Sequence, residues 1–192
     1  MSSPDALSNR RSAILAAALT AFLDKGYLAT SIADIRRLSG ATTGSIYHFF
    51  PGKPALAEEL LRRFVTQRSA QTPVPDGNAE TQIRASVRGL VLWGLANPRE
   101  LRLLDELRSL ALSTEELAGV SELLLNGQSA AAARFARMQA DGEVRKLPFS
   151  IAHALMLGPA YSYLRLAAPT PAEQAERIAE LFADAAWQAV RA

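Results

Sequence analysis

Few residues in this 192-residue chain are equipped for covalent chemistry. There is no cysteine, which excludes disulfides, thiolate metal sites and cysteine nucleophiles. Only two histidines occur, His48 and His153, and no metal-ligand spacing or glycine-rich phosphate loop is present. The acid pairs Asp105-Glu106 and Glu115-Glu116 are sequence neighbours. Adjacent helical positions point to different sides, so neither pair can close on a substrate. The expectation is therefore no catalysis, no metal and no cofactor. What remains is a dense run of small hydroxyls, aromatics and cations in residues 31–54, SIADIRRLSGATTGSIYHFFPGKP. Its side chains donate and accept hydrogen bonds and carry positive charge, the chemistry of contact with a polyanion.

Two short helices must position these groups. Ser31 with Asp34 three residues on has the form of a capping box. Ile32, Ile35 and Leu38 follow on one helical face. Gly40 can adopt positive φ and stop that helix. Thr42 caps a second helix, which Pro51-Gly52 ends. Two short helices joined by a tight turn containing glycine form a helix-turn-helix, whose second helix enters the DNA major groove. With Ile46 and Phe49 facing inward, Thr43, Ser45 and His48 project outward, and Thr42 and Gly44 lie where backbone approaches DNA. Small hydroxyls bond to base edges or pack a methyl on thymine, and no arginine on this helix can make the bidentate guanine contact. Direct readout by each head is thus modest. Ser31 or Thr30, at a helix N-terminus, is a natural phosphate site.

The sequence TSIADI…SGATTGSIYHFFPGKPAL, densest at Gly44-x-x-Tyr47-x-x-Phe50 followed by Lys53, resembles the DNA-binding domain of the TetR family of bacterial transcription regulators. The resemblance covers roughly residues 9–65. It implies that Tyr47 and Lys53 clamp the DNA backbone and that Arg10 and Arg11 stand where a phosphate or minor-groove contact is made. It implies a ligand-responsive repressor that binds an inverted-repeat operator in double-stranded DNA. It also implies a homodimer formed through the last two helices, with Gly158, Ala160 and Ser162 permitting close approach. A small-molecule effector in the helical body would release the DNA. The chain departs from the family pattern at Arg36, where a small alanine usually packs. An arginine there must reach the surface or a phosphate, which makes Arg36 a candidate DNA contact.

The remainder reads as helix. The fold class expected is all-α, with about nine helices in an N-terminal helix-turn-helix domain and a C-terminal helical ligand-binding and dimerisation domain. The division is 1–53 for the first domain, 54–70 for a connecting helix, and 79–192 for the body, with the QTPVPDGN stretch at 71–78 as linker. Ser113 with Glu116 offers a second capping box, opening a long helix that Asn126-Gly127 could kink. The effector-pocket candidates are Phe64, Trp93, Leu104, Phe135, Met138 and Met156, an apolar set suited to a hydrophobic molecule. Residues 1–70 carry nine Lys/Arg and five acids, a net +4, against −2 for the rest. A basic N-terminal third on a near-neutral body is the footprint of a protein that meets phosphate with that third alone. No apolar run is long enough to span a membrane, and the LAAALTAFL stretch after Arg10-Arg11 reads as helix rather than signal peptide. The chain is expected in the cytoplasm. An architectural or protein-partner-controlled DNA-binding protein of the same fold is the alternative.

Overall fold

The computed structural model describes residues 4–71 and 73–192, and among these the chain is helical with no strand. Nine α-helices follow in order: α1 (Pro4–Lys25), α2 (Ile32–Ser39), α3 (Thr43–Phe49), α4 (Lys53–Gln71), α5 (Ala79–Ala96), α6 (Pro98–Ala111), α7 (Ala118–Ala140), α8 (Phe149–Leu166) and α9 (Ala172–Val190). The all-α class and the helix number agree with expectation. No helix among the described residues is long and apolar enough to cross a membrane. Thr72, within the 71–78 stretch, lies outside the described residues.

Packing sorts the helices into two compact units. One comprises the chain up to Phe64 together with Arg102–Leu124; the other comprises Val65–Leu101 and Leu125–Ala192. The prolines and Asp76-Gly77 of the 71–78 stretch do interrupt the helix, but the stretch lies inside the second unit. Residues 102–124, far along the chain, belong to the first.

The first unit is built on α1, whose Ile14, Ala18, Ala21 and Phe22 are buried. Burial of Ile35 from α2, Ile46 from α3 and Leu56, Leu60 and Phe64 from α4 completes the core of the N-terminal helices. Each such aliphatic side chain contributes about 1.5–3 kcal/mol of transfer free energy. Leu38, expected on the inward face of α2, is half exposed. An eight-residue helix is too short for its last turn to stay under a neighbour, and the helix ends one residue later. The Ser113 capping box also does not form. Ser113 Oγ donates to the Leu110 carbonyl (3.3 Å), closing α6 instead, and a 3-10 turn at Glu115–Leu117 leads into α7. Helix α7 runs unbroken through Asn126-Gly127.

In the second unit α9 packs along α5 and α8. Its buried positions are Ala175, Ala179, Ala183, Ala186 and Val190, a column of small residues at helical spacing that lets the helices approach closely. Gly94 of α5 serves the same end, since a Cβ there would lie 2.8 Å from a Leu164 methyl. Arg84 and Arg88 of α5 bridge to Glu180, Asp184 and Glu176 of α9 along the margin of this contact. The loop after α7 is tied to the C-terminus by one isolated bridge between Val144 and Arg191.

Candidate nucleic-acid interface

The start of α2 is fixed by Asp34. Ser31 Oγ accepts from the Asp34 amide (3.2 Å) while the Asp34 carboxylate accepts from the Ser31 amide (3.0 Å), completing the capping box. The same carboxylate takes the Ser31 hydroxyl (2.7 Å), the Lys25 ammonium (2.6 Å) and the Arg37 guanidinium (2.9 Å). Hydrogen bonds from Lys25 and Ser31 hold the Asp34 carboxyl well below the usual carboxylate range. A charge already occupies this helix N-terminus, so a phosphate approaching Ser31 meets Asp34 together with its two cations. Lys25, Asp34 and Arg37 were not among the sequence candidates. The signal was present in the capping-box spacing and the basic residue ending α1, but their convergence is tertiary.

Gly40 takes the left-handed conformation (φ 64°) and its amide closes α2 on the Arg36 carbonyl. Thr42 then caps α3, its hydroxyl accepting from the Ser45 amide at 3.1 Å. On α3 only Ile46 is fully buried, with Phe49 half-buried behind it. Thr42, Thr43, Gly44, Tyr47 and His48 are all exposed, and Ser45 is half-buried. A Cβ at Gly44 would meet nothing within 4 Å. Helix α3 carries no acid. Beside it Arg36 and Arg37 line a shallow groove with Gly40, Thr42, Thr43 and Gly44. The Arg36 side chain goes to solvent, and α2 still packs through Ile35.

Lys53 has a second commitment. Its ammonium donates to the Tyr27 carbonyl (3.0 Å) and, more weakly, to that of Leu28 (3.4 Å), and lies 4.3 Å from the centre of the Tyr27 ring. Two of its three N–H bonds thus hold the turn between α1 and α2, leaving one for an external oxygen. The same turn is fixed by Glu106 of α6, which accepts from the Tyr27 amide at 2.9 Å. In the sequence Glu106 is only the neighbour of Asp105 in an acid pair; a contact across 79 residues leaves no local signature. Burial, reinforced by the nearby Glu116 carboxylate, pushes the Tyr27 phenol up to about 12, and among the described residues its hydroxyl has no hydrogen-bond partner. Thr30 is buried and donates to the Ala21 and Gly26 carbonyls, so it is structural. Arg11 pairs with Glu59 (3.0 Å) and lies over the Phe50 ring, while Arg10 is exposed.

The second unit holds a cavity of about 90 Å³. Ile83 and Val87 of α5, Phe135 and Met138 of α7, and Met156 and Leu157 of α8 form its apolar walls, with Phe149 and His153 also lining it. Of the six sequence candidates, Phe135, Met138 and Met156 line this cavity together. Phe64, Trp93 and Leu104 do not line it: Phe64 and Leu104 are buried in the first unit, and Trp93 is buried on α5 away from the cavity lining. Apolar character alone marked them for an interior without saying which one. No cluster of three or more metal-ligating side chains occurs among the described residues.

A helix-turn-helix head with an exposed second helix, on an otherwise helical chain, defines the class of protein. Residues 14–60 match the model for bacterial regulatory proteins of the tetR family. The chain is 40% identical over 62 residues to the HTH-type transcriptional repressor KstR2 of Mycolicibacterium smegmatis, covering 32% of this chain and 30% of that one. The match therefore spans less than a third of that relative's length. The whole fold is similar to a putative tetR family transcription regulator from Shewanella sp. PV-4 (TM-score 0.73, 22% identity, 95% of this chain and 98% of that one). It is also similar to the ketosteroid transcriptional regulator KstR2 of Mycobacterium tuberculosis (TM-score 0.64, 19% identity, 95% of each chain). Residues 14–60 thus carry a helix-turn-helix domain of the tetR type, and over the rest of the chain the likeness is one of fold.

Proposed function

We propose that the protein is a DNA-binding transcription regulator, a repressor that binds an inverted-repeat operator as a homodimer and releases it when a small molecule enters the helical body. The observation that carries the reading is the exposed face of α3, where Thr43, Gly44, Tyr47 and His48 stand clear of the core in an acid-free helix. Tyr47 and the remaining N–H of Lys53 clamp phosphate, Thr42, Thr43, Ser45 and His48 face the groove, and Arg36 reaches the backbone from α2. Ser31 contributes through its cap. Phosphate contacts fix register while the few base contacts specify, so much of the selectivity comes from two heads read in symmetry.

The dimer reading has support from the last two helices. Ile151, Leu155, Gly158, Ser162 and Leu166, the stripe along α8, are all exposed, and on α9 Leu181 is 68% exposed. Leu166 is 89% exposed. Apolar residues in such a row are what a second copy would cover. In this division of labour the first domain and its connecting helix read DNA, the body binds the effector and dimerises, and the protein acts in the cytoplasm. The packing of residues 102–124 with the reading head gives α6 a direct hand on the α1–α2 turn through Glu106.

The test is selection from a random DNA pool with the wild-type protein and with Tyr47→Phe and Lys53→Ala. One inverted repeat with half-sites about one helical turn or a little more apart is expected. Lys53→Ala weakens binding to all sequences alike and lowers the salt slope by about one unit. Retention of DNA without a common motif would defeat the repressor reading.

A further inference from the structure

The cavity in the second unit is apolar over most of its wall, with polar side chains at Gln82, Ser86, Arg134 and His153. Among the described residues Arg134 of α7 is its one lining cation, and no carboxylate lines it. Among the described residues no acid lies within ion-pair distance of Arg134; the same holds for Arg137 and Arg191 of this unit, but of the three only Arg134 lines the cavity. Ser86 and His153 add further hydrogen-bonding groups to the lining, and the Gln82 amide is held on the Gly77 carbonyl at 2.7 Å. A planar guanidinium with no internal anion, next to Phe135 and Met138, is arranged for an outside anion with an apolar body.

Size narrows the class. A volume of about 90 Å³ is below the roughly 150 Å³ of a dry cavity that accepts benzene. Even one ring therefore requires Met138 or Met156 to swing aside, which unbranched thioether side chains do readily. A fused polycyclic body would need the helices themselves to move. A doubly charged phosphate ester would bring a second charge to a site with a single cation.

We propose that this cavity binds a compact monoanion, a carboxylate on a single apolar ring, with the ring among Phe135, Met138 and Met156 and the carboxylate on Arg134. The inference rests on the effector reading above and gives it a ligand class, one that an apolar lining alone does not suggest.

The experiment is calorimetric titration of the full chain with phenylacetate and cyclohexanecarboxylate, against the neutral analogues phenylacetamide and cyclohexylmethanol. Each is run on the wild type, Arg134→Gln and Arg134→Lys. Arg134 is exposed, and melting curves confirm that both variants fold. The acids are expected to bind the wild type and to weaken roughly tenfold in Arg134→Gln, the scale of one charge-assisted contact. Arg134→Lys recovers part of the loss, and the neutral analogues do not respond to either variant. Equal binding of acids and neutral analogues, equal binding of acids to wild type and Arg134→Gln, or no binding of either acid would overturn the assignment. Titration of the selected operator separates the two readings. DNA release by neutral apolar compounds with no binding of acids defeats the ligand class alone. Acids held by Arg134 without effect on DNA affinity uphold the ligand class and defeat the effector reading.

Discussion

Helices α2 and α3 have eight and seven residues, while α5, α8 and α9 have 18, 18 and 19, and the two groups are held in place by different means. Helices below about 12–15 residues are marginal on their own. The reading head compensates with local chemistry: a full capping box and a left-handed glycine on α2, a threonine cap on α3, and three side chains gathered on Asp34. In the second unit α8 and α9 follow prolines whose positions provide no side-chain cap. They are kept by packing, above all the alanine column of α9. Where an element is short, its limits must be encoded by the residues at its ends. Where it is long, the ends matter less and the face it buries matters more.

The sharpest way to break this contrast is Ile46→Ala. Ile46 is the one fully buried side chain of α3, and its loss costs about 3 kcal/mol. DNA binding is expected to disappear while urea unfolding followed at the second unit's Trp187 changes little; a shared collapse would show that the head is not independently held. Next is Ala183→Leu, placing a large side chain at a fully buried position of the α9 column. Overpacking there is expected to cost about 2 kcal/mol in urea unfolding. A neutral result would mean that the alanines are not what sets the α9 contact.

A smaller effect, of opposite sign, comes from Tyr27→Phe. The phenol is buried with no partner, and an unsatisfied buried hydroxyl costs about 1–3 kcal/mol. Removing it is expected to raise stability by about 1 kcal/mol. Because the phenol is pushed up to about 12 in the fold, the wild type should also lose stability as pH rises from about 10, its value in the unfolded chain. The folded state then holds a proton that the unfolded state has released. Tyr27→Phe abolishes that part of the alkaline loss, and an unchanged alkaline limb would show that another group causes it.

The smallest expected effect is Asp34→Asn, which keeps a cap but removes the charge shared by Lys25 and Arg37. The wild-type advantage is present above about pH 4, where the unfolded carboxylate is already ionised, and declines as pH falls, because the folded carboxyl releases its proton far more readily. Midpoints of urea unfolding between pH 7 and pH 2.5 measure it. The gap is expected to narrow with added salt; a gap that widens at low pH would contradict the assignment.

The candidate site was largely legible because it is built from contiguous signals. Ser31 and Asp34, Gly40, Thr42 and the exposed α3 residues sit within one short stretch, and each acts on backbone a few residues away. Lys53 was legible as a cation at a telling position, but its hold on the Tyr27 carbonyl was not. Glu106 was missed because its partner is 79 residues away. The pocket candidates divided for the same reason: Phe135, Met138 and Met156 share a cavity and Phe64, Trp93 and Leu104 do not, although all six are equally apolar.

By itself, then, the sequence determined the helical class, the order of the helices and the turn chemistry of the reading head, since caps, glycines and prolines act on neighbouring backbone whatever lies beyond. Only the tertiary structure decided which side of α8 and α9 is buried, which helices enclose the cavity and put Arg134 at its edge, and that residues 102–124 pack with the head. On α9 both the alanine column and Ile178, Leu181 and Phe182 are apolar at helical spacing, yet the alanines are buried while Ile178 and Phe182 are half-buried and Leu181 is exposed. The choice between them is made by closeness of approach, a property of two surfaces that neither helix carries alone.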